Sequence, residues 1–496
     1  MHSVYNQYKD SLQKIADLRY ASAVLQWDQE TYLPPKGGEL RGRQIATLTE
    51  LAHEQFTGAE MGGLLQQLEA AVGLSDPEKR NVDLSLEDYH KSKKLPAAFV
   101  RKMSEAVNKS FHAWIEARKQ NNFAVFQEPL AAIIDLKKQE ADLLGYEHHP
   151  YDALMNEYDK GLTVATTDDL FNNLKPQLLG LYREISSKPQ VDNSFLHQHF
   201  DKDKQWQFGM DILKNMHFDF EAGRQDISEH PFTTNFNSHD VRVTTRIDEN
   251  DFGNMLWSCI HEGGHALYEQ GLPAEEYGLP LGEYCSLSIH ESQSRLWENC
   301  IGRGLPFWTS HYPELQQLFP EQLGGVSLQQ FYAGINKVQP SLIRTEADEI
   351  TYHFHVMIRY EIEKQLIEGS ITAKDIPAIW NESYKNYLGV TVPDDKRGCL
   401  QDIHWCHGSF GYFATYSIGS LYAAQLYAAI LKEQPSLERE IAYGNSIKAW
   451  NWLQQQIYRH GRYYNSSELC KMATGETLNS QYFIDYARNK YGNIYG

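Results

Sequence analysis

Apolar residues recur at spacings of three and four over long stretches of the chain, the period of an amphipathic helix. Tyr8 to Trp27, Pro129 to Leu144 and Ile447 to Arg459 show it, with Leu and Ala interleaved among Lys, Gln and Glu, all good helix formers. Two further helices are predicted over Asn254 to Gln270, stopped by Gly271, and over Leu287 to Cys300. One stretch breaks the pattern. Val241 to Ile247, VRVTTRI, clusters β-branched residues just after the turn-forming Asn237, Ser238 and Asp240, and reads as a strand in a small sheet. The chain is therefore expected to be mainly α.

Punctuation adds little further division. Breaks fall at Pro34-Pro35-Lys-Gly-Gly, at Ser186 to Ser194 and at Gly302 to Pro320, but none has the length or low complexity of a flexible linker. No repeat period stands out, which argues against a solenoid. One continuous, lobed helical body over residues 1–496 is the expected architecture.

Composition narrows the class. With 42% hydrophobic and 22% charged residues the chain can bury a core and is not a mainly disordered polymer. Its formal charge of -19 repels nucleic acid and anionic membrane surfaces, so neither is an expected partner. The opening MHSVYNQYKDSLQKIADLRY contains no apolar run of signal-peptide length, and the most apolar stretch, Leu421 to Leu431, is interrupted by Gln425. The six cysteines, at 259, 285, 300, 399, 406 and 470, are scattered and form no CxxC pair. A cytoplasmic protein with reduced thiols is expected.

The chemistry concentrates at His261-Glu262-Gly263-Gly264-His265, an H-E-x-x-H motif within the predicted 254–270 helix. Residues i and i+4 share a helix face, so both imidazoles can bind one cation, while Glu262 flanks it and can take a proton from water on the metal. Gly263 and Gly264 each cost a helix about 1 kcal/mol relative to alanine, which close approach of another backbone would justify. A catalytic zinc site needs a third protein ligand and one open position. Glu275, Glu276, Glu283, Glu291 and Glu298 all follow, and only Glu291 and Glu298 lie well inside the next helix. Spacing does not choose between them. His290, beside Glu291, is a candidate for orienting a ligand or substrate.

Together with His290-Glu291-Ser292-Gln293, the HEGGH motif resembles the M32 family of metallocarboxypeptidases. Three more signatures agree: Asp240-Val-Arg242-Val-Thr244 for D-x-R-x-T, Ile343-Arg344-Thr-Glu-Ala347-Asp348 for I-R-x-x-A-D, and Gly398-Cys-Leu-Gln401-Asp402-Ile-His404-Trp405 for G-x-x-Q-D-x-H-W. All stand in the family's order, and Trp27-Asp28-Gln-Glu-Thr31 with Pro34 extends the likeness towards the N-terminus. The resemblance selects Glu291 as the third metal ligand. It also implies a deep active-site groove covered by N-terminal helices to about residue 225, a metal-site part over about 226–430 beside a small sheet, and C-terminal helices over about 431–496. A homodimer and the release of single C-terminal residues from peptides with broad preference are implied as well. One divalent ion is expected, zinc by default with cobalt left open.

In this reading Glu262 activates the attacking water and passes its proton to the leaving amine. An exopeptidase must also grip the substrate's terminal carboxylate, which a guanidinium fits in bidentate fashion. Arg344 is the first candidate, its competing use being an i,i+4 ion pair with Asp348 on a helix, and Arg242 is the second. His404 and Tyr416 lie in a glycine- and aromatic-rich segment and are candidate donors to the tetrahedral oxyanion. An endo-acting oligopeptidase would share the same metal chemistry and lack only the carboxylate clamp. A non-catalytic helical scaffold with a structural metal would need a fourth protein ligand, usually with cysteine among the set.

Overall fold

A computed structural model describes residues 2–496. Helices dominate it, and three short strands make its sheet. The helical pattern is borne out: His2–Thr31 contains the first predicted segment, Ala124–Leu144 the second, and Ile447–Gln456 most of the third. One of the expected breaks is not a break. Within Gly302 to Pro320 lies the helix Leu305–Leu318, which accepts Pro306 in its first turn, where a missing N–H costs nothing.

The chain condenses into two compact units, each assembled from three stretches of sequence. The first comprises the residues up to 93, 192–335 and 422–478; the second comprises 94–191, 336–421 and 479–496. In the first unit the N-terminal helix lays Tyr5, Tyr8, Leu12 and Ile15 against Phe56, Leu65, Val82 and Leu279. Burying aliphatic and aromatic side chains of this kind contributes about 1.5–3 kcal/mol each.

The sheet lies in the first unit. β1 (Gly223–Ile227), β2 (Thr233–Asn237) and β3 (Asp240–Thr245) are ordered β1-β3-β2, with β1 parallel and β2 antiparallel to the central strand. The predicted strand is β3, but it ends two residues earlier than expected. Thr245, the last residue of the strand, turns its hydroxyl into hydrogen bonds with Ser258 and the Met255 carbonyl of the adjoining helix.

The helix Phe252–Gln270 carries the HEGGH motif and starts on an Asp251 cap. It packs against Leu287–Arg295, which continues into a π-helical turn over Leu296–Gly302. Gly264 explains the closeness: a Cβ there would lie 2.7 Å from the Gln293 carbonyl oxygen and from Ser294 Cα. Gly263 faces only the ends of Leu213 and Met216.

Candidate metal centre

The histidine helix places His261 and His265 on one face, one turn apart, and the neighbouring helix brings Glu291 to them. Nε2 of His261 lies 3.7 Å and Nε2 of His265 3.5 Å from Glu291 Oε2. All three ligand atoms fall within 4.8 Å of one another. Zinc takes such donors at about 2.0–2.2 Å, which sets tetrahedral neighbours about 3.3 Å apart. The two histidine-to-glutamate separations lie within a few tenths of an ångström of that spacing, so the donor set fits a single divalent ion.

The second nitrogen of each imidazole is already taken, and this decides which nitrogen is left to face an ion. His261 Nδ1 meets Glu298 Oε2 at 2.9 Å, and a carboxylate accepts, so Nδ1 keeps the proton and Nε2 keeps its lone pair. His265 Nδ1 meets His290 Nδ1 at 2.6 Å, while His290 Nε2 meets Glu269 Oε1 at 2.7 Å. Glu269 fixes the proton of His290 on Nε2, so His290 Nδ1 accepts from His265 and the His265 lone pair is again on Nε2. Asn235 of β2 donates to the other Glu269 oxygen at 2.6 Å.

Charge is balanced locally. Arg295 donates to Glu291 Oε1 at 2.6 Å and reaches Glu298 Oε2 at 3.4 Å, while Arg303 reaches Glu298 Oε1 at 3.1 Å. Burial works to raise the carboxyl groups of Glu291 and Glu298. Arg295 and His261 act on both, with His265 helping Glu291 and Arg303 helping Glu298, and together they hold both well below the usual range. Burial, reinforced by His290 and His261, pushes His265 down to about 3, whereas at His261 burial is outweighed by the carboxylates of Glu291 and Glu298, which raise the ring.

Glu262 sits apart from these ion pairs. Thr233 Oγ1, from β2, donates to its Oε2 at 2.7 Å, and burial raises its carboxyl above the ordinary value despite opposition from His261 and Thr233. A buried carboxylate of raised basicity is suited to general-base work. Thr233 and Asn235, two residues apart on one face of β2, thus hold Glu262 and Glu269 of the helix beside it.

The other predicted residues divide between the units. Arg242 lies in β3 with its fork spent on Asp240, through two bonds of 2.9 Å, and its plane stacked on Trp27 and Phe236. In the second unit, the buried Arg344 donates through Nε to Asp402 at 2.9 Å and through Nη1 to the Tyr352 hydroxyl at 3.0 Å. The ion pair with Asp348 is not made. Arg344 occupies a single 3-10 turn, Arg344–Glu346, so no helix aligns positions 344 and 348, and Asp348 caps Thr351 instead. His404 Nε2 lies 3.1 Å from the Tyr416 hydroxyl, and burial beside Arg344 pushes its ring down to about 3.

The model of the Carboxypeptidase Taq (M32) metallopeptidase family matches residues 7–491. The chain belongs to that family. It is 38% identical to carboxypeptidase 1 of Bacillus subtilis over the whole chain and 99% of that protein, and 36% identical to thermostable carboxypeptidase 1 of Thermus thermophilus with the same coverage. The crystal structure of an M32 carboxypeptidase from Deinococcus radiodurans R1 superposes with a TM-score of 0.98 at 39% identity, covering 100% of both chains. As a family member the chain is a metallocarboxypeptidase, a peptide hydrolase that works with a divalent metal ion.

The sequence left several residues of this candidate centre unread. Glu269 continues the four-residue stripe of His261 and His265, and Arg295 stands four after Glu291, so both carried a positional signal. Glu298 was visible only as a rival ligand. Thr233 and Asn235 carried none, because β2 has no strong alternation to announce it.

Proposed function

We propose that the protein is a broad-specificity carboxypeptidase of the cytoplasm, which releases single C-terminal residues from peptides at a site made of His261, His265 and Glu291 around one ion. What carries the reading is the convergence of two imidazole Nε2 atoms on one Glu291 oxygen, with each Nδ1 already engaged. Zn2+ suits this His2Glu set, and Co2+ is compatible with it. When bound, the ion would polarise the scissile carbonyl and offset the negative charge that develops on its oxygen.

The chain's own residues supply the rest. Glu262, anchored through Oε2 by Thr233, takes a proton from the attacking water and delivers it to the leaving nitrogen. His290 serves as an orienting group for His265 more directly than as a contact to peptide, since both its nitrogens are engaged. For the terminal carboxylate, Arg344 is favoured over Arg242. Asp402 is shared by two guanidinium groups, those of Arg344 and the fully buried Arg359, which leaves one buried positive charge in excess and Arg344 Nη2 free to donate. His404 and Tyr416 are proposed as neutral donors to a substrate oxygen. A homodimer is proposed on the family resemblance, and a cytoplasmic setting on six cysteines that are buried and scattered along the chain without a CxxC pair.

Weighing the products formed from a free-acid peptide and from its C-terminal amide tests the activity. Stepwise loss of terminal residues from the acid alone is expected, whereas internal cleavage of both would replace this reading with an oligopeptidase.

A further inference from the structure

His404 belongs to an irregular segment, Gln401 to Gly411, with no regular secondary structure of its own. Two residues of one helix hold it at both ends. On Tyr352–Glu368, Arg359 and Glu363 stand four apart and so share a face. Arg359 donates through Nε to Asp402 at 2.7 Å and through Nη2 to the Gln401 side chain at 2.8 Å. Glu363 accepts from the Trp405 indole at 2.7 Å and from the Gly411 backbone N–H at 2.8 Å. These four bonds bracket His404 on either side.

Glu363 is an expensive choice for this place. It is fully buried, its third bond is to the Tyr151 hydroxyl at 2.5 Å, and all three donors are neutral. The cation that acts on it, Lys137, is itself paired with Glu140. Burial pushes the carboxyl up to about 7 in spite of the three donors. An apolar side chain would strand these three buried donors, so the cost of burying the carboxyl is offset by what it holds. The segment also has no slack at its far anchor. Gly411 has φ +97, and a Cβ there would lie 2.7 Å from the Leu154 carbonyl.

We infer that Glu363 and Arg359 are positioning residues of the peptidase reaction, which fix the 401–411 segment so that His404 meets Tyr416 in one geometry. The inference rests on the proposed role of His404. Neither residue touches substrate in this account; both act through the segment they clamp.

The test is a double-mutant cycle on the metal-loaded enzyme with a free-acid peptide, using Glu363→Gln, His404→Ala and the pair. Glu363→Gln keeps the shape but turns an N–H towards a donor, and a displaced catalytic group costs roughly ten- to a hundredfold in kcat. A fall of that size with metal content unchanged is expected, and the double variant should be no slower than His404→Ala alone. Trp405→Phe, which removes one of the four bonds and leaves the helix intact, should reproduce part of the loss. Fully multiplicative effects in the cycle, or normal kcat in both Glu363→Gln and Trp405→Phe, would overturn the inference. If His404→Ala is as fast as the unmodified enzyme, the role of His404 falls first, and the clamp with it.

Discussion

Among single residues the decisive ones at the proposed metal site are those behind the proposed ligands. Glu298 holds the proton of His261 on Nδ1 and is braced by two arginines. Replacing such a partner usually costs tenfold to a hundredfold in metal affinity. Glu298→Gln should therefore weaken binding by that factor, as read by competition with a chromophoric chelator; unchanged affinity would show that the Nδ1 bond does not orient the ring. Glu262→Gln should behave in the opposite way, keeping the metal and abolishing turnover, because Glu262 has no ligand role in the cluster of His261, His265 and Glu291. The pairing of two imidazoles on one helix face was legible in the HEGGH motif. The order of proton holders was not, since the His265–His290–Glu269 chain joins two helices and a strand that only the fold brings together.

At the level of elements, the two glycines of the motif separate what helix propensity dictates from what packing dictates. Both sit mid-helix, and the sequence alone treats them alike. Gly264→Ala would drive a Cβ into the backbone at Gln293 and Ser294, which cannot swing away. Overpacking of this sort costs about 1–3 kcal/mol. It should also push Glu291 from the imidazoles, so a lowered Tm and weaker metal binding are expected together. Gly263→Ala meets side-chain ends of Leu213 and Met216 that can turn aside, and gains about 1 kcal/mol of helix propensity. Near-neutral stability is the expectation, checked by thermal unfolding of both variants side by side. The π-helical turn at Leu296–Gly302 shows where periodicity stops being informative. The 3.6-residue pattern predicted one helix to Cys300, yet the wider turn begins at Leu296, in the segment that carries Glu298 to His261. Strand β2 was missed for a related reason, as its residues are chosen for bonds to Glu262 and Glu269 rather than for alternating burial.

Across the whole molecule, the two units are each built from separated stretches, so neither has a linker for the sequence to reveal. Mainly helical architecture was legible because amphipathic patterning is local; the assembly of three stretches into each unit is a matter of long-range contacts. All six cysteines are buried, and burial pushes the Cys259 and Cys406 thiols up to about 12. A native sample should accordingly resist a colorimetric thiol reagent, with all six cysteines titrating only on unfolding. Rapid modification of the folded protein would mean that these sites open readily. The central claim is that two imidazoles and one carboxylate hold a single ion, and X-ray diffraction from zinc-loaded crystals on either side of the zinc absorption edge tests it most directly. One anomalous peak about 2.0–2.2 Å from His261 Nε2, His265 Nε2 and a Glu291 oxygen is predicted. A peak on other side chains, or none at these three in fully loaded and active protein, would contradict it.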